Sequence, residues 1–143
     1  MSDWNERIIA EFRANDGVVG GPFVGSHLLL LTTIGARTRE RRIVPVAYSD
    51  DPHAADVRIL VASKTGSPSR PGWYHNVLAN PRVHVEAATA SGIDEYDAIA
   101  SEMPERERAA RYAEIMASRP AFAAFQQESH RVLPLVILAR ASA

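Results

Sequence analysis

About six short apolar runs, each stopped by a turn signal, leave room in 143 residues for only three or four helices, and that imbalance restricts the fold. The runs are Leu28 to Thr33, Ile43 to Tyr48, Val57 to Ala62, Val83 to Ala87, Ile93 to Ile99 and Leu133 to Leu138. A doubly wound parallel sheet needs a crossover helix for each parallel pair. With too few helices for that, the pattern predicts an α+β, mainly β chain built on a mostly antiparallel sheet or small barrel. Pro45 cannot donate to a ladder, so the second run is expected at a sheet edge or a bulge. Asp50-Asp51-Pro52 and Thr89-Ala90-Ser91-Gly92 supply turns.

The helices are expected at Asp3 to Asn15, Trp73 to Ala79, Pro104 to about Ser118, and from near Pro120. In the first, Trp4, Ile8 and Phe12 recur every four residues, Ile9 lies beside them and Gly17 is the stop. That stripe either packs on the domain or lies against a membrane surface as a peripheral contact. Pro81 ends the second helix, and Pro104 opens the third with Glu105 and Glu107 at its positive end.

With 46% hydrophobic residues the chain reads as one domain, 1–143, with a sizeable core. A net charge of -1 gives no global field toward nucleic acid. The absence of cysteine rules out disulfides, thiolate nucleophiles and cysteine-ligated metal, and suits a cytoplasmic protein. No apolar stretch approaches spanning length. The histidines show no pairing with a carboxylate at metal-ligand spacing, so no metal site is expected.

Two stretches carry chemistry. Gly35-Ala36-Arg37-Thr38-Arg39-Glu40-Arg41-Arg42 concentrates four arginines between the first two strands. Guanidinium forks pair two anionic oxygens at once, so such a turn suits phosphate or carboxylate, although charged turns also guard sheet edges. The second stretch leaves the third strand as Ala62-Ser63-Lys64-Thr65-Gly66, with the chain's only lysine, and continues to Pro71-Gly72-Trp73-Tyr74-His75-Asn76. Small residues, one ammonium and an aromatic pair are what a loop needs to hold the edge of a flat polar ring. Together the stretches describe a site for a planar heterocycle with an anionic tail.

Leu28 to Thr38, Arg42 and Pro45, Ala62-Ser63-Lys64, Pro71 to Asn76 and Asn80-Pro81 closely resemble the deazaflavin-dependent nitroreductase family. Glu11 to Asn15, Val19 to Phe23 and Arg131 to Pro134 resemble it too, so the likeness covers nearly the whole chain. It implies a split β-barrel of the FMN-binding flavin-reductase type. It also implies a reductase that uses reduced 8-hydroxy-5-deazaflavin coenzyme F-420, whose phosphodiester and glutamates form an anionic tail. Arg37, Thr38, Arg39 and Arg42 would hold the tail. Pro45, Ala62, Ser63, Lys64, Thr65, Gly66, Gly72, Trp73, Tyr74 and Asn76 would complete the cofactor site, and Ser63 or Tyr74 would give a proton.

Where the family often has glycine this chain has Arg39 and Thr65, so both turns are expected to do without a free positive φ. Where it often has tyrosine and threonine this chain has Phe125 and Ser129. The expected substrate is a small hydrophobic electrophile, and because Phe122 and Phe125 beside Ser129 cannot donate a proton, an activated alkene, a quinone or a polycyclic lactone is preferred to a nitroaromatic. An FMN-dependent enzyme of the same fold and a non-catalytic deazaflavin carrier are the alternatives. The expected assembly is a monomer or homodimer.

Overall fold

A computed structural model describes residues 3–19, 28–51, 53–54, 56–62, 72–89, 91–118 and 134–141. In chain order the elements are α1 (Asp3–Ala14), β1 (Leu28–Ile34), β2 (Arg41–Ala47), β3 (Ser49–Asp50), β4 (Val57–Val61), α2 (Gly72–Ala79), β5 (Arg82–Thr89), β6 (Gly92–Glu102), α3 (Glu105–Ser118) and β7 (Leu135–Arg140). The strands form one sheet in the order β2-β1-β5-β6-β7-β4-β3, and every pairing is antiparallel. Its two outermost strands, β2 and β3, are separated in the chain by Tyr48 alone. One residue spans only about 3.3 Å, so the two edges must lie side by side and the sheet curls into a half-barrel. Pro45 falls opposite Leu30 in β2, which pairs through its ladder with β1 only, the edge position where proline is tolerated in a sheet.

Strand alternation decides which side chains fill the curl. Leu29 and Leu31 of β1, Leu60 of β4, Val83, Val85 and Ala87 of β5, Tyr96, Ala98 and Ala100 of β6, and Val136 and Leu138 of β7 meet inside. The alternate residues Leu28 and Leu30 point outward, where Ile8, Ile9 and Phe12 of α1 cover them. Ile59, Val61 and Leu135 likewise lie with Met103 and with Ile115 of α3. Ile8, Ile9 and Phe12 are thus spent on the sheet and are not offered to a membrane. No helix among the described residues is long and apolar enough to cross one. Gly17 ends the α1 segment with φ +91°, its N–H donating to Phe12 O at 2.8 Å. A Cβ there would stand 2.7 Å from Ala88 Cβ and 3.0 Å from Ala88 Cα, so the left-handed turn and the close approach both require glycine.

The curl is stopped differently at its two ends. At one, Arg58 reaches between Tyr48 and Tyr96, its Nη1 donating to the Tyr96 hydroxyl at 2.7 Å and to Asp94 at 3.2 Å. At the other, α2 lies across the opening with Trp73 and Val77 packed into the core.

Candidate functional site

The end capped by α2 holds a cavity of about 540 Å³ lined by Gly35, Ala36, Arg37, Thr38, Arg42, Gly72, His75 and Asn76. The arginine-rich turn and the Trp-Tyr-His-Asn motif, far apart in sequence, therefore meet. Helical and strand periods sort the members of each motif. On α2, positions i, i+3 and i+4 share a face, so Gly72, His75 and Asn76 turn to the cavity while Trp73 and Val77 turn inward. Trp73, expected to frame the pocket, is a core residue at 7% exposure. Its spacing of four from Val77 is the sequence signal for that.

The four arginines do not form one patch. Arg41 and Arg42 are adjacent on β2, opposite Ile34 and Thr33, and successive strand residues face opposite ways. Arg42 therefore lines the cavity, while Arg41 lines a second cleft of about 310 Å³ with Arg13, Thr32, Ile43, His84, Glu86, Glu95 and Asp97. Arg39, expected to touch the cofactor, lines neither of these two cavities. Its φ of +62° makes the left-handed bend for which glycine is the usual residue, so the turn adopts the positive φ that its sequence was expected to avoid.

Bonds within the turn fix its shape. Gly35 N–H donates to Glu40 O at 2.8 Å, Arg39 N–H to Gly35 O at 3.0 Å, and Glu40 N–H to Thr38 Oγ1 at 3.2 Å. A Cβ on Gly35 would come within 2.6 Å of that same Thr38 oxygen. The turn is then held on α2: Asn76 Oδ1 accepts from Ala36 N–H at 3.0 Å, and Asn76 Nδ2 donates to Thr33 Oγ1 at 3.0 Å. The one carboxylate in the turn, Glu40, pairs with Arg42 at 3.3 Å, leaving an excess of positive charge around the cavity. α2 carries no acidic residue in its first turn to offset the partial positive charge of its N-terminus.

Tyr74 is half-buried against the core, and its hydroxyl donates to Glu102 Oε1 at 2.5 Å, at the end of β6. Pro45 is half-buried on β2, and Ala62 is fully buried with its N–H on Pro134 O at 2.9 Å. Neither lines the cavity. Ser63, Lys64, Thr65 and Gly66, with Phe122, Phe125 and Ser129, lie outside the described residues. Gly35, Ala36 and His75 are the cavity residues that the expected site left out.

A curled antiparallel half-barrel with an arginine-lined cavity at its helix-capped end fits a reductase of the split-barrel type with a long, anionic redox cofactor. Residues 4–140 match the family described as F420H(2)-dependent quinone reductase, and the chain belongs to that family. It is 32% identical to the F420H(2)-dependent quinone reductase of Mycobacterium tuberculosis, with 98% of each chain covered. It is also 31% identical to an F420-H2 dependent reductase of solved structure, covering 78% of this chain and 92% of that one at a TM-score of 0.62. Another solved relative, also 31% identical, is a domain-swapped dimer, covering 95% and 97% of the two chains at a TM-score of 0.64.

Proposed function

We propose that this protein transfers a hydride from reduced coenzyme F-420 to a quinone-type acceptor, which takes up the hydride and one proton to become a hydroquinone. The observation that carries the reading is the cavity where Arg37 and Arg42 meet the first turn of α2 with too few carboxylates to neutralise them. A phosphodiester followed by glutamates supplies the missing negative charge. When bound, the coenzyme supplies the hydride; the chain's own residues bind, orient and exclude water.

In this reading Arg37, Arg42 and the Thr38 hydroxyl hold the tail, and the open N-terminal turn of α2 at Gly72 adds backbone N–H groups. Ser63, Lys64, Thr65 and Gly66, which leave β4 toward α2, hold the ring, with the ammonium favouring negative charge on it. Phe122, Phe125 and Ser129 border the acceptor. The proton comes from Ser63 or solvent, because the Tyr74 hydroxyl is turned to Glu102. The relative that forms a domain-swapped dimer supports a homodimer for this chain, which sedimentation velocity would register as twice the chain mass.

The test is anaerobic mixing of the protein with reduced coenzyme and a naphthoquinone, following re-oxidation of the deazaflavin by absorbance. Protein-dependent re-oxidation is expected. A flat trace across a panel of quinones would leave a coenzyme carrier, and tighter binding of FMN than of the deazaflavin would replace the cofactor.

A further inference from the structure

Asn76 on α2 and Asn80, one turn further on and just past the helix end, both reach the junction of β1 with the arginine-rich turn. Asn76 bonds Thr33 and Ala36, and Asn80 Nδ2 donates to Ile34 O at 3.3 Å. Three hydrogen bonds thus fall on residues 33, 34 and 36, immediately before Arg37. The Asn76 amide spends its oxygen and one N–H on the protein itself. Thr33, its acceptor, is 0% exposed and lies beyond reach of any ligand in the cavity.

The need for such a tie follows from charge. Arg37 and Arg42 bring two like charges to one cavity, where they repel one another, and a turn held only by its own hydrogen bonds would let them spread. An anion is gripped tightly only if its donors stand in place before it arrives, since ordering them afterwards costs affinity.

We infer that Asn76, seated on Thr33 and Ala36, is a positioning residue that sets the grip of Arg37 and Arg42 on the coenzyme's anionic tail. The inference rests on the proposed reading of the cavity as the tail site. It makes Asn76 act through the turn, where the sequence pattern suggested a direct contact, and it gives the buried Thr33 a part in binding.

The test compares two ligands: reduced F-420, and the same 8-hydroxy-5-deazaflavin truncated before its phosphodiester. Thr33→Val keeps the side-chain shape and removes the acceptor. It and Asn76→Ala are expected to weaken binding of the intact coenzyme roughly threefold to tenfold, as loss of one or two hydrogen bonds implies, and to leave the truncated ligand unaffected. KM for the intact coenzyme rises while kcat at saturation stays within about twofold. In an Arg37→Ala, Arg42→Ala background, Thr33→Val adds nothing, because the groups it positions are gone. Equal loss for both ligands, no loss, or full additivity in the arginine-free background overturns the inference. If the arginine pair itself can be removed without loss of tail-dependent binding, the reading of the cavity falls first.

Discussion

Arg13 closes on Glu86 through two parallel hydrogen bonds, Nε to Oε1 at 3.0 Å and Nη2 to Oε2 at 2.9 Å, joining the last turn of α1 to β5. The Glu86 side chain keeps only 10% of its exposure whereas that of Arg13 keeps 47%, so the pair lies between the buried and surface cases. Removing the arginine strands a mostly buried carboxylate. Arg13→Ala is expected to lower unfolding free energy by about 1–2 kcal/mol in urea titrations, and Glu86→Gln by less. A loss under about 0.5 kcal/mol for Arg13→Ala would mean that the helix is held by Ile8, Ile9 and Phe12 alone.

Next to this pair, His84 lies between Asp97 at 2.8 Å and Glu95 at 2.7 Å, with Arg82 also on Asp97. Burial, the largest single influence, works to lower the His84 pKa, but its hydrogen bonds and charge contacts with Asp97 and Glu95 outweigh it, and the net shift is upward from 6.5. A folded-state value above the unfolded one gives stability that is fully present below 6.5 and is lost as pH rises through the raised value. The hydrogen bond from His84, then that from Arg82, hold Asp97 below its ordinary 3.8, so its share is present above 3.8 and lost as pH falls through the lowered value. Stability should therefore decline as pH rises from about 6.5 through the raised His84 value, and His84→Gln should flatten that slope. An unchanged slope in the variant would assign the decline to other groups.

Much of the fold could be read from the sequence because its signals are local. Leu28 to Leu31 is an unbroken apolar run because β1 is covered on both faces, by the curl's interior and by α1. β3 was not readable: two residues carry no period, and Ser49–Asp50 has turn composition. It is a strand only because closing the sheet brings it beside β4, which is a long-range fact. The site divides in the same way. The arginines suggested an anion site, yet which of them face the cavity depends on the pleat of β2, and which part of the Trp-Tyr-His-Asn motif faces it depends on the pitch of α2.

Tyr74 offers a direct check on the source of the proton. Its hydroxyl donates to Glu102 at 2.5 Å, so it is directed toward a carboxylate on β6. Removing a true general acid usually costs about 10²–10⁴ in rate. Tyr74→Phe is expected to lower kcat for quinone reduction by less than about threefold, the scale of losing one exposed hydrogen bond. A loss on the order of a hundredfold, restored by an acidic phenol analogue at the same position, would return Tyr74 to the role of donor.

Arg39 separates charge from backbone geometry. A side chain at φ +62° is disfavoured by roughly 1–2 kcal/mol, and glycine gives back about 0.5–1 kcal/mol through its freer unfolded chain. Arg39→Gly should therefore raise unfolding free energy by about 0.5–1 kcal/mol in urea titrations. Because Arg39 does not line the cavity, coenzyme affinity at about 0.15 M salt should change by less than about twofold, whereas Arg37→Ala should weaken it roughly tenfold. Equal losses from the two variants would show that the tail extends around the turn to Arg39, beyond the cavity that Arg37 and Arg42 enclose.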